Sequence, residues 1–300
     1  MNQWKSIKKY ISRSLSVTEN NKSNMPKPIS GKVVASFETE NKFVSSLATM
    51  ASNDILVTED YTLNVYKSGG KQGGLLNDRN DKVYPWNVAV FRFVNEHIAM
   101  TCCAMKDGIN ECVKIYNTRG HLLKSFGQNL IHPRGLAVNS HNQFVVTDSE
   151  SRNVYIYDAD GCLLHSIDHI DYNDEKVFQH PLYVAINNSN YDIIVSDCTA
   201  GCVKVFDCDG RYRFTYNGKG TLNPRGVCSD KFGNIFITDW HSDSIHMINS
   251  QGLFQRCIVT KNDGIEKPQC LVVNETGNLV VGEYTGHIKT FSYLSKMSSV

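Results

Sequence analysis

The sequence predicts an all-β protein, a six-bladed β-propeller of four-stranded blades, closed by an N-terminal strand that completes the last blade. Two observations carry this prediction. A module of short strand-like runs, four in each of the first five copies and three in the last, recurs six times at a spacing of 41–48 residues, the propeller period. One further strand-like run precedes the first module and matches the strand that the sixth module lacks.

The central modules show the pattern most clearly. Residues 132–167 contain HPRGLAV, FVVTDS and NVYIYDADGCLLHSI; residues 180–214 contain HPLYVAI, IIVSDC and CVKVFDCDGRYRF; residues 223–258 contain NPRGVCS, IFITDW and SIHMINSQGLFQRCI. Each gives a strand a after a proline, a strand b ending in Thr/Ser-Asp or its equivalent, a strand c ending in Asp or Asn, and a strand d after glycine. Proline suits the start of strand a, where no ladder N–H is required. The Asp158-to-Gly161 and Asp207-to-Gly210 pieces supply the positive-φ residue that a tight c–d hairpin needs. Fainter copies begin near Val44, at Tyr84-Pro85-Trp86 and at Lys267-Pro268-Gln269. The first apolar residue of strand a falls at Leu47, Val88, Leu136, Val184, Val227 and Leu271. The sixth module stops after strand c at Thr290-Phe291. Gly31–Phe37 resembles the strand d of Gly120–Phe126 and is therefore expected to seal the ring. The expected organisation is a basic Ser/Asn/Lys-rich tail over 1–28, the propeller over 29–295 and a short C-terminal tail over 296–300.

Composition narrows the class. No run approaches the roughly 20 apolar residues of a membrane span, and the N-terminus lacks the apolar stretch of a secretory signal. The tail carries Lys5, Lys8, Lys9, Arg13, Lys22 and Lys27 against Glu19, so the remainder has four more acids than bases. A mildly acidic body argues against indiscriminate nucleic-acid binding. Ten cysteines occur without a C-x-x-C pair, which points to reduced, half-buried thiols and a cytoplasmic setting.

The P-R-G-(L/V) start, the T-D that ends strand b and the D-x-D-G hairpin resemble the NHL repeat. The resemblance covers about residues 31–293 and is tightest in the three central modules. It extends to the C-terminal propellers of TRIM-NHL, Brat-like and malin-type proteins. In those families the propeller recruits RNA or protein, while a separate RING domain performs ubiquitin transfer. This sequence shows no RING, B-box or coiled coil. What the resemblance implies is therefore a non-catalytic protein-binding scaffold that recruits partners in ubiquitin-ligase systems. An RNA-binding post-transcriptional regulator is the alternative.

Strands alternate in direction, so the d–a connections and b–c loops share one face, the docking face that the resemblance implies. The residue after each strand-a proline, or its equivalent, gives one position per blade: Ser45, Trp86, Arg134, Leu182, Arg225 and Gln269. The b–c loops add Tyr61, Glu150, Arg152, Trp240, His241 and Tyr284. Of these, Trp86, Arg134, Arg225, Gln269, Tyr61, Arg152, Trp240, His241 and Tyr284 form the expected partner-binding rim, since Arg, Trp and Tyr dominate interface energetics. Arg134 and Arg225 also fit a structural pairing with Asp148 and Asp239, and Trp240 fits a blade cap. The aspartates that end strand b read as backbone-capping residues.

No catalytic constellation, cofactor or metal is expected. Propeller lyases and hydrolases need His or carboxylate groups converging on the channel, and His132 with His180 is the nearest approach to a ligand pair. Trp4, Ile7, Ile11 and Leu15 lie at helical spacing in the basic tail. A plain tether is the expected role there, ahead of membrane or RNA contact. The expected partner is a protein, with RNA second.

Overall fold

Six four-stranded antiparallel sheets follow one another around a ring. The computed structural model describes residues 28–294 apart from 41–42, 61, 68–69, 77–82, 93, 105–110 and 169–175; Ser30–Tyr293 is one compact unit. Blade one is β2 (Val44–Thr49), β3 (Ile55–Glu59), β4 (Thr62–Lys67) and β5 (Gly70–Leu76). Blade two is β6 (Val83–Arg92), β7 (Glu96–Ala104), β8 (Cys112–Asn117) and β9 (Leu122–Phe126). Blade three is β10 (Pro133–Val138), β11 (Phe144–Asp148), β12 (Asn153–Tyr157) and β13 (Leu163–Ile167). Blade four is β14 (Pro181–Ile186), β15 (Ile193–Asp197), β16 (Cys202–Phe206) and β17 (Tyr212–Tyr216). Blade five is β18 (Pro224–Ser229), β19 (Ile235–Asp239), β20 (Ser244–Ile248) and β21 (Phe254–Val259). Blade six takes β22 (Pro268–Val273), β23 (Leu279–Glu283) and β24 (His287–Leu294) from the end of the chain and β1 (Pro28–Glu38) from its beginning. The N-terminal strand thus closes the ring as the sequence predicts.

Register explains how the repeated motif works. In five blades the residue that opens strand a lies opposite the last residue of strand b: Val44 and Glu59, Pro133 and Asp148, Pro181 and Asp197, Pro224 and Asp239, Pro268 and Glu283; in blade two, whose strands a and b run two residues further at this end, the equivalent pair is Pro85 and Cys102. The ladder then slips by one residue. This β-bulge falls on Ser45, Trp86, Arg134, Leu182, Arg225 and Gln269 or the residue beside them. A bulge re-aims a side chain and bends its strand, so one position per blade is redirected at the same end of the ring.

Blades are joined by apolar packing and by buried hydroxyls. Between blades two and three, Phe126, Leu136, Phe144, Val146 and Tyr157 are all buried in one cluster. The threonine near the end of strand b donates to the bulge carbonyl of the next blade: Thr58 to Trp86 at 3.1 Å, Thr101 to Arg134 at 2.6 Å and Thr147 to Leu182 at 3.1 Å. Glycine in P-R-G has a packing reason. A Cβ on Gly135 would lie 2.7 Å from the Val184 nitrogen, and one on Gly226 would lie 2.7 Å from the Cys270 Cα. The inner strands of neighbouring blades therefore meet backbone to backbone.

Those inner strands line a central channel of about 280 Å³. Near its rim end the Tyr183 side chain crosses from blade four to blade one and donates to the Ser45 carbonyl at 2.6 Å. Gln269 Nε2 donates to the Tyr183 hydroxyl at 2.9 Å. No helix among the described residues is long and apolar enough to cross a membrane.

Candidate functional site

The strand-b carboxylates build the rim. Asp148 accepts the backbone N–H of Ile131 at 2.7 Å and of His132 at 3.1 Å, and also those of Glu150 and Ser151. Asp197 does the same for Gln179 and His180, and Asp239 for Asn223 and His241. Each aspartate thereby ties the approach to strand a to its own b–c loop. Burial raises the Asp197 pKa, but the Gln179 and His180 amides and Lys204 outweigh it and hold the carboxyl below its usual range. These bonds give the aspartates the capping role read from the sequence. No hydrogen bond or ion pair joins Arg134 to Asp148 or Arg225 to Asp239; the carboxylates are occupied by backbone.

The arginines instead lie on tryptophans. The Arg134 guanidinium sits 3.9 Å from the Trp86 ring centroid, and Arg225 sits 5.7 Å from that of Trp240. The two pairs are linked through a run of aromatic contacts. Trp86 meets Phe43 at 5.7 Å, Phe43 meets Tyr284 edge-on at 5.4 Å, and Tyr284 meets Trp240 perpendicularly at 6.4 Å. Lys267 lies 5.0 Å above Trp240 as well. Four rings thus span blades five, six, one and two, with an arginine at each end. Centroid separations of about 4.5–7 Å and tilted or edge-on rings are those that aromatic pairs prefer.

Several donors on this arc are unused. Among the described residues, Trp86 Nε1, Arg134 Nε and Arg225 Nε are buried without a hydrogen-bond partner. A buried unsatisfied donor costs about 1–3 kcal/mol, a cost carried by the arc itself, because these three atoms are closed off from the surface. The two arginines also bracket blade four. His180 is kept neutral first by burial and then by Arg134, with Arg225 adding to the effect, and His132 by burial and Arg134. Arg134, Arg225 and Lys267 place three cationic groups over the tryptophans of the arc.

The remaining rim residues divide. Tyr284 is 44% exposed and His241 is exposed. Arg152 is exposed, but its Nε is committed to the Phe178 carbonyl at 2.8 Å. Gln269 is only 4% exposed and turns inward to Tyr183, so it supports the channel plug and not the surface. Ser45 and Leu182 are likewise buried. Tyr61 lies outside the described residues. The reading of the sequence missed Phe43 and Lys267. Both immediately precede the residue that opens strand a, as His132 and His180 do, and taking that position around all six modules would have found them.

No protein-family model matches the chain. Over 128 residues it is 29% identical to Protein brain tumor of Drosophila melanogaster, a match covering 40% of this chain and 12% of that one. Over 131 residues it is 28% identical to the human E3 ubiquitin-protein ligase NHLRC1, covering 42% of this chain and 32% of that one. The matched stretches are thus a small part of either relative. Virginiamycin B lyase from Staphylococcus aureus superposes with a TM-score of 0.57 at 7% identity, over 86% of this chain and 98% of that one. That likeness shows the fold alone. The sequence relatives and the six-bladed ring together bear out the resemblance to NHL-repeat propellers.

Proposed function

We propose that this NHL-type propeller is a non-catalytic scaffold that recruits a protein partner through the arc from Arg134 and Trp86 to Trp240 and Arg225, and that it serves a ubiquitin-ligase system. One observation carries the reading. Two guanidinium groups held over two indoles, at 3.9 and 5.7 Å from the ring centroids, form a preorganised surface for an acceptor-bearing segment. Arginine and tryptophan are the residue types on which interface energy concentrates, and stacking holds each guanidinium in place before a partner arrives. An acidic or carboxylate-bearing protein segment matches the cations Arg134, Arg225 and Lys267 of the arc. The link to ubiquitin transfer rests on the resemblance to a protein named as an E3 ubiquitin-protein ligase. A cytoplasmic setting suits the free thiols of all ten cysteines.

One relay-like array among the described residues fits a structural role. Tyr216 Oη lies 2.8 Å from His246 Nδ1, and His246 Nε2 lies 4.0 Å from Asp239. Asp239 is occupied by the amides of Asn223 and His241, and burial keeps His246 neutral, so the array reads as a joint between blades four and five.

RNA is the second reading, because an indole also stacks on an unpaired base, worth about 1–3 kcal/mol. A salt titration with pooled RNA separates the two. Phosphate-led binding weakens steeply as salt rises; no detectable binding at low salt removes the RNA reading. Tight, salt-sensitive RNA binding lost in W86A/W240A would replace the protein-partner reading.

A further inference from the structure

The joint between blades two and three differs from the others. Where the other five blades end strand b in a carboxylate, blade two has Cys102 opposite Pro85, followed by Cys103. Cys103 Sγ reaches across to the Pro133 carbonyl of blade three at 3.1 Å. Glu111 immediately precedes β8, the position held by Arg152 in blade three and Asp243 in blade five. Both of those residues reach the next blade: Arg152 donates to the Phe178 carbonyl at 2.8 Å, and Asp243 accepts from the Lys267 N–H at 2.7 Å. The position before strand c is therefore a recurrent blade-to-blade fastener. In blade two it faces His132, and the three fastening groups carry sulfur, oxygen and nitrogen.

We propose that Cys103, Glu111 and His132 form a zinc site that fastens blade two to blade three beside the Arg134–Trp86 pair. One ligand atom from each residue lies within 4.8 Å of the other two. Tetrahedral zinc with bonds of about 2.0–2.3 Å places its ligand atoms about 3.3–3.7 Å apart, so small rotations of three side chains close the set. A thiolate and an imidazole favour zinc over the oxygen-seeking magnesium and calcium. The thiolate and carboxylate together neutralise the dication, and water takes the fourth position. Burial pushes the Cys103 thiol up to about 12 and keeps His132 neutral, so the metal meets a ready imidazole and must displace one thiol proton. The site joins segments more than 20 residues apart in sequence and lies next to the proposed docking arc, which it would hold in place.

Cobalt(II) titrated into the reduced full chain tests this. The expected result is a near-ultraviolet thiolate-to-cobalt band and visible bands of tetrahedral intensity, saturating at one equivalent and abolished by zinc(II). C103S should lose the thiolate band, and E111Q and H132Q should each weaken cobalt binding by more than the about 10–100-fold that outer-shell partners cost. C162S, which removes an exposed thiol elsewhere, should change nothing. Should C103S fail to fold, H132Q decides. Absence of tetrahedral bands in the wild-type chain, or bands that survive C103S or H132Q undiminished, would overturn the proposal.

Discussion

Replacing Gly135 with alanine tests the packing that sets the rim. The new Cβ would lie 2.7 Å from the Val184 nitrogen, 2.8 Å from the Tyr183 Cα and 2.9 Å from the Leu182 oxygen. All three are backbone atoms of the next blade, so no side chain can swing aside. Overpacking of this kind costs about 1–3 kcal/mol. Separating the strands also strains the bridge in which Gly135 N–H donates to Thr147 Oγ1 at 2.7 Å and Thr147 donates to the Leu182 carbonyl at 3.1 Å. Losing one such bond adds about 1 kcal/mol. The total of about 2–4 kcal/mol corresponds to a fall of roughly 5–15 °C, at about 2–4 °C per kcal/mol for a domain of this order of size. Gly264→Ala is the control, because nothing lies within 4 Å of its Cβ position and only its φ of 80° opposes the change. Calorimetry of both variants against the wild type gives the answer. If G135A melts like wild type, or falls no further than G264A, backbone contact between inner strands is not what the P-R-G glycine provides.

Other outcomes follow from the same structure. Deleting residues 28–38 removes β1 from blade six and should lower the melting temperature more than G135A does; an unchanged value would refute closure by that strand. T147V keeps the shape but leaves the Gly135 N–H and Leu182 carbonyl without their bonds, and should cost about 2–4 kcal/mol in denaturant unfolding, with T147S restoring most of it. Acidification from pH 7.5 to 6 should lower stability. Burial depresses the pKa of His180 and His246 in the folded state, so the unfolded chain takes up protons first as pH drops through about 6.5. Asp192 works in the opposite direction: burial raises it to about 6, so its contribution grows as pH falls below that value. H246Q should flatten the decline between pH 7.5 and 6, and an unaltered slope would remove His246 from the account.

The ring was legible because its signals are local and repeated. Proline, Thr-Asp and Asp-x-x-Gly each fix a backbone feature within a few residues, and the match between Gly31–Phe37 and Gly120–Phe126 marks the closing strand. The bulge positions were also legible as one ring of residues. Their side-chain directions were not. Arg134 chooses Trp86 over Asp148 only because the aspartate is consumed by amides of Ile131 and His132, which a residue count cannot show. Gln269 turns inward because Tyr183, an aromatic where blades three and five carry glycine, reaches across the channel to meet it. Phe43 and Lys267 join the arc through contacts between blades five, six, one and two, and such contacts leave no mark in any single module.

Affinity capture from a lysate with and without nuclease, using the wild-type full chain and R134E/R225E at matched melting temperature, examines the docking arc directly. A protein retained by the wild type and lost from the charge-reversed chain is the expected result. The same proteins held equally by both, or capture that vanishes on nuclease treatment, would contradict it.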